Sequence, residues 1–295
     1  MSVLVSLTLQ LFLLHLGSRR RYSVKIWLRI VLWLSYLIAD SLATVALGAI
    51  SNNLRNSCDG NDSQLQNELT AFWAPFLLLH LGGQDTITAY AVQDNELWLR
   101  HLLGLFVQTM VALYIFLLSC KANWLSFLTI PMLLAGFIKY TERILVMRSA
   151  NCGLNTPTTP SCESIEEQAL WYFKIFRYLF LNKKINNINR NLTDDQVLTT
   201  FASQTTWKVI EVELGYAYDV YYTKAPLFFT AWGFIFHFFS FTSILFVIVL
   251  FLLNEKHNHP KIDLIITYYW LELFLWRYML FVYCVPPIGL GQQLM

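Results

Sequence analysis

The chain has 295 residues, of which 56% are hydrophobic, 16% aromatic and only 14% charged, with a net charge of +2 and a mean hydropathy of +0.47. A soluble domain carries about a quarter charged residues and cannot hide such a surplus of Phe, Leu, Trp and Tyr, so the composition excludes an ordinary soluble protein and points to a bilayer. The small, dispersed net charge excludes a nucleic-acid binder.

Residues 1–16 are apolar but fall short of the roughly 20 helical residues a span needs. They carry no basic leader and no small-residue cleavage site, so they read as an uncleaved first anchor. Arg19, Arg20 and Arg21 follow, with Lys25 and Arg29. This is the densest basic cluster in the chain, and the positive-inside rule places it in the cytosol. Residues 24–50 form a second span containing Asp40, and the polar stretch after it carries a glycosylation sequon at Asn61.

Residues 72–92 open as an apolar run and turn polar through His80, Gly82, Gly83, Gln84 and Asp85. A broken span, a re-entrant segment and an interfacial helix all fit. Residues 97–119 form a span with Arg100 and His101 near its start. Residues 124–147 form another, carrying Pro131 and ending in Lys139, Glu142 and Arg143.

Residues 148–224 are the sizeable non-membrane region. A Pro/Thr-rich stretch leads into an aromatic, charged interfacial helix over 165–181 and then an amphipathic helix over 196–224. Residues 225–295 form a C-terminal transmembrane hairpin, with spans at 226–253 and 262–285 and with Glu272 and Arg277 inside the second. The fold class is therefore all-α: a polytopic transmembrane bundle of six or seven segments, with residues 1–147 as its N-terminal region. If 72–92 crosses, Lys139, Arg143 and Arg148 fall at the cytosolic end of their span and 148–224 is cytosolic. The positive-inside rule favours that arrangement.

Ionisable groups at membrane depth are costly and usually face protein or water. Asp40 lies about 24 Å along its helix from Val24. It reads as an ion ligand or, by default, as a carboxylate pairing locally near the headgroups. His80, Asp85 and His101 belong to the densest polar stretch, where Gly82-Gly83 would free backbone carbonyls as in broken transporter helices. No tight metal-ligand spacing accompanies them, and satisfied polar groups in an interfacial connection explain the same residues. Lys139 and Glu142 are i,i+3 neighbours that can pair on the helix surface, and the default for Lys139 and Arg143 is snorkelling to the interface. Glu272 and Arg277 point about 140° apart on one helix, so each meets a different partner, most simply as packing glue.

The five cysteines, Cys58, Cys120, Cys152, Cys162 and Cys284, form no disulfide framework, and no histidines cluster beside them. No metal or cofactor is expected. No nucleophile elbow, phosphate loop or zinc-protease helix occurs, so catalysis is not the leading reading.

Several segments carry a resemblance. They are Tyr36-Leu37-Ile38-Ala39-Asp40, the run from Trp73 to Gly83 with Asp85-Thr86-Ile87-Thr88-Ala89, and the run from Asp94 to His101. Gly136 to Tyr140 with Glu142-Arg143 belongs with them, as does Val212-Glu213-Leu214 with Tyr218-Asp219 and Tyr222-Thr223-Lys224. Together they resemble a large plant family of multi-pass membrane proteins known only as a domain of unknown function. The resemblance implies a plant protein whose usual soluble C-terminal domain is missing here, as in a shortened paralogue. It implies no reaction, ligand or catalytic residue.

Three functions follow in order of preference. The first is a membrane scaffold or signalling component recruiting protein partners through 148–224. The second is a channel or transporter with a polar pathway at 72–92, and the third is a membrane-embedded metal-dependent enzyme. All place the chain in a lipid bilayer, at the plasma membrane or an endomembrane.

Overall fold

The computed structural model describes residues 2–57, 64–119, 124–151, 165–181, 206–228 and 230–255. Among these every regular element is a helix. In chain order they are α1 (Ser2–Gly17), α2 (Ile26–Ser57), α3 (Gln64–Leu81), α4 (Trp98–Ser119), α5 (Trp124–Asn151), α6 (Ile165–Phe180), α7 (Thr206–Tyr222), the single turn α8 (Ala225–Phe228) and α9 (Ala231–Glu255). Short 3-10 turns cover Ser18–Arg21 and Val92–Leu97. Residues 262–285 with Glu272 and Arg277, the sequon at Asn61 and all five cysteines lie outside the described residues.

Helix α3 is central, packed against α2, α4 and α5. Helix α1 lies on α2 and α9 on α5, while α6 and α7 pair with each other. Small residues set the spacing. On α2, Ala39, Ala43 and Ala46 are buried at helical intervals with Leu47 and Ile50. They meet Ala74, Leu77 and Leu78 of α3 in one core cluster. Close approach of this kind is how helices gain packing where water supplies no hydrophobic drive.

Two helical stretches are long and apolar enough to cross a membrane, Ile26–Arg55 and Val92–Ser119. Shorter apolar helices lie at Thr70–Leu81 and Ala231–Val247. The bundle is also turned inside out relative to a soluble one. Exposed Leu103, Phe106, Met110 and Leu117 line α4, and Trp232, Phe238 and Phe246 line α9, while Lys139, Glu142, Arg143 and Lys224 are buried. That distribution accords with the membrane association that the two long apolar helices suggest.

The structure moves several expected boundaries. Helix α2 runs to Ser57 rather than residue 50, because Ile50 and Leu54 continue its buried stripe. Helix α3 begins at Gln64, inside the stretch read as polar, and stops at Leu81. Residues 72–92 are thus half helix and half extended chain. Helix α6 covers 165–180, within the expected 165–181, and α7 begins the described part of 196–224 and stops at Tyr222, two residues short of the expected end.

Candidate functional site

The site is built where α3 ends. Gly83 adopts φ +67°, a left-handed conformation that stops a helix at little cost only in glycine. Gly82 lies so close to α5 that a Cβ there would come within 2.8 Å of the Lys139 backbone. Beyond them residues 84–91 run buried and non-helical, with Gln84, Thr86, Ile87, Thr88 and Ala89 all shielded. Buried non-helical backbone needs protein partners for its polar groups.

The last carbonyls of α3 would otherwise be orphaned, and each finds a donor. The Gly82 N–H donates to Leu79 O at 3.2 Å and the Gly83 N–H to His80 O at 2.9 Å. Gln10 of α1 also donates to His80 O, at 3.1 Å. Arg143 donates to Leu81 O at 3.0 Å, and the Lys224 ammonium to Gly82 O at 2.9 Å. Both cations therefore sit at the negative end of the α3 dipole.

The same cations belong to a wider ionic centre. Lys139 Nζ lies 2.8 Å from Glu142 Oε2 and 3.8 Å from Asp85 Oδ1. Lys224 Nζ lies 3.3 Å from Asp85 Oδ1 and 3.8 Å from Glu142 Oε2. Two ammoniums and two carboxylates thus alternate in a closed ring. His237 of α9 completes the coordination of Lys139, its Nδ1 2.8 Å from Nζ. Beside the ring, Arg143 grips Asp40 with both guanidinium ends, at 3.0 and 2.9 Å, and donates to the Tyr36 hydroxyl at 3.1 Å. Glu142 is fully buried, and its second oxygen, Oε1, has no hydrogen-bond partner. Three cations (Lys139, Arg143, Lys224) face three carboxylates (Asp40, Asp85, Glu142), so the charge cancels.

Three expectations need correction. Lys139 and Glu142 pair as their spacing allows, but inside the bundle rather than on the helix surface. Lys139 and Arg143 do not snorkel, since both are buried by α2, the α3 break and the segment around residue 224. Asp40 pairs with Arg143, far along the chain, rather than locally. His80 is held apart from the ring, its Nδ1 3.0 Å from Ser6 Oγ of α1. His101 sits half-buried on α4. Among the described residues no three His, Cys, Asp or Glu side chains gather to hold a metal ion, so the set His80, Asp85 and His101 does not form one.

The extended segment returns to the arginine cluster. Arg20 donates to Tyr90 O at 2.8 Å and lies over the Tyr90 ring at 4.1 Å and the Tyr222 ring at 5.0 Å. Tyr90 donates in turn to Arg29 O at 3.1 Å. Arg21 reaches Asp219 of α7 at 3.7 Å. The strand-like pairing of Thr88 N–H with Tyr222 O at 2.8 Å and Lys224 N–H with Asp85 O at 3.1 Å ties the end of α7 to the break.

Helices α6 and α7 bury Phe173, Tyr216, Val220 and Tyr221 between them. Arg177 closes the C-terminus of α5, donating to Ser149 O at 2.7 Å and Ala150 O at 2.8 Å. Burial raises the Glu213 carboxyl. It also raises the Asp219 carboxyl, with Arg21 pulling the other way. Burial, helped by Glu166 and Asp219, pushes the Tyr216 phenol up to about 12.

The family described as a domain of unknown function (DUF4220) matches residues 33–161 and 153–277. These matches span most of the chain and contain every residue of the ionic centre. The chain belongs to this family. No curated protein and no solved structure matches it. In this DUF4220 chain, Asp40, Asp85, Lys139, Glu142 and Arg143 were recognisable as polar groups in apolar surroundings. Tyr36, Lys224 and His237 were missed. Lys224 looked like the end of a surface helix, and His237 was an isolated histidine in the most apolar helix. The signals available for Lys224 were its place in the resembling segment Tyr222-Thr223-Lys224 and just before the apolar stretch 226–253.

Proposed function

We propose that this chain is a multi-spanning membrane protein that moves an ion or small polar solute across the bilayer, with the break of α3 as the place where cargo meets protein. The observation that carries this reading is Glu142, a fully buried carboxylate with an unpartnered oxygen, set beside a helix that stops mid-bundle. A purely structural centre gains nothing from a half-satisfied carboxylate, whereas broken helices with nearby charges are how transporters build sites at depth.

Six membrane segments fit the described helices, α1, α2, α3 with its non-helical continuation, α4, α5 and α9, and the sequence expectation adds a seventh at 262–285. The Arg20–Tyr90 and Arg21–Asp219 contacts support a crossing by 72–92, because they bring its far end and α7 to the arginine cluster. On this reading 148–224 is cytosolic. Glycosylation mapping at Asn61 and thiol labelling at Cys152 test the topology; a modified Asn61 with a cytosolic Cys152 is expected, and an external Cys152 sinks it.

The functional test is flux. Purified protein in liposomes should move a cation, proton or small solute under an imposed gradient, and Glu142→Gln should abolish the movement. Silence across inorganic cations, anions, protons and polar solutes defeats the proposal.

A scaffold role, the first expectation from the sequence, becomes the second reading here, favoured by one observation. Trp207 and Leu214 project from α7 into the surroundings at helical spacing, at 78% and 54% exposure. Replacing exposed Trp207 and Leu214 by serine separates the two: a scaffold loses its partners with flux unchanged, and a transporter shows no loss.

A further inference from the structure

We propose that the Lys224 ammonium is a tethered stand-in for a free monovalent cation, and that the Gly82, Asp85 and Glu142 oxygens form that cation's binding site when Lys224 withdraws. The inference rests on the transport reading and names its cargo class. Lys224 is completely buried, and its ammonium meets three oxygens: Gly82 O at 2.9 Å, Asp85 Oδ1 at 3.3 Å and Glu142 Oε2 at 3.8 Å. A carbonyl and two carboxylates are the donor set of a hard cation rather than of a soft metal. Glu142 Oε1, buried and without a partner, is a further oxygen for an ion that takes more ligands than an ammonium can.

Electroneutrality decides the charge of the guest. Without Lys224 the ring keeps Asp85, Glu142 and Lys139, a net charge of −1. One positive charge restores balance, and a divalent ion would overshoot in a site where unpaired charge is costly. Sodium or potassium therefore fits, and magnesium or calcium does not.

The fold also supplies the means of withdrawal. Lys224 lies on the connection between α7 and α8, not on a core helix of the bundle. Its segment is fastened to the break by the backbone bonds Thr88 N–H to Tyr222 O and Lys224 N–H to Asp85 O. Lifting residues 222–224 off residues 85–88 removes the ammonium and opens the site from the α7 side. Movement of α7 and cation occupancy are thereby coupled: a cation in the site excludes the lysine, and the lysine excludes the cation.

The test uses the full-length protein in lipid nanodiscs, with NaCl or KCl titrated against choline chloride at constant ionic strength. Amine labelling followed by mass spectrometry reads Lys224 in the wild-type protein. Its labelling should rise several-fold with sodium or potassium and stay flat with choline, while exposed Lys208 stays constant throughout. Lys224 labelling that ignores both ions overturns the proposal. Lys224→Met should gain saturable binding of radioactive sodium or rubidium, and adding Glu142→Gln should remove it. No gain, or binding that survives the second change, also overturns it. If Lys224→Met does not fold, the wild-type labelling decides alone. Flux is scored separately: transport without cation competition at Lys224 leaves the transport reading standing and this inference fallen, and competition without flux does the reverse.

Discussion

Arg143 holds both carboxylate oxygens of Asp40, at 3.0 and 2.9 Å, although 103 residues separate them in the chain. The fork matches a planar carboxylate, and its NH1 simultaneously reaches Leu81 O at the end of α3. One side chain thus joins α2, α3 and α5.

Arg143→Lys keeps the charge and loses the fork, so it should destabilise the bundle by about 1.5–3 kcal/mol, the range for hydrogen bonds to charged groups. Asp40→Asn should cost a similar amount. The double variant should lose clearly less than the sum, because both changes break one interaction. Thermal melts in nanodiscs measure all three, and strict additivity would count against the pairing.

Removing Glu142 altogether is predicted to be harsher. Glu142→Ala leaves two buried ammoniums sharing Asp85, and breaking a buried pair costs about 3–5 kcal/mol. Glu142→Gln retains the volume and a hydrogen-bonding oxygen, so it should melt between wild type and the alanine variant. Equal melting temperatures for wild type and Glu142→Ala would show that Glu142 is not in the ring.

The two glycines at the break should respond differently. Gly83→Ala forces a Cβ into left-handed backbone and should cost about 1–2 kcal/mol with the packing otherwise preserved. Gly82→Ala pushes a Cβ to 2.8 Å from the Lys139 backbone, so α3 and α5 must separate. Expression and melting of the two variants compare them directly. A better tolerated Gly82→Ala contradicts the close approach.

Acidity should favour the α6–α7 pair. Burial lifts the folded-state values of Asp219 and Glu213 above their ordinary values of 3.8 and 4.5. The contribution of these two groups is therefore fully present below those values and is lost as pH rises through the raised ones. Wild type should lose more stability than Glu213→Gln/Asp219→Asn between about pH 4 and neutrality. Melting the two proteins at both ends of that window checks the sign, and a wild type that gains on the variant with rising pH refutes it.

Arg177→Ala is expected to loosen the junction of α5 and α6. It strips donors from part-buried Ser149 O and buried Ala150 O, and the orphaned Ala150 acceptor costs about 1–3 kcal/mol. Hydrogen exchange should accelerate over 146–151 and 169–177 and remain unchanged in α2. Uniform acceleration throughout the bundle would argue against a local cap.

Much of the architecture was legible because apolar content and helical spacing are local properties. The helix at 165–180, the apolar helix at 98–119 and the break near Gly82-Gly83 all follow from runs of neighbouring residues. Glu142 beside Lys139 was legible for the same reason, since i,i+3 neighbours meet on any helix. Their burial was not: spacing tells which residues share a face, and only packing tells what covers it.

The sequence by itself determined a helical chain with polar groups stranded among apolar runs, because apolar content and helical spacing are carried by neighbouring residues. The tertiary structure alone decided how those groups are neutralised. Lys224 meets Gly82 from 142 residues away, and His237 meets Lys139 from 98. Such partners share no helix, so no periodicity can pair them; the requirement that every buried charge be balanced is enforced only when the helices close around it.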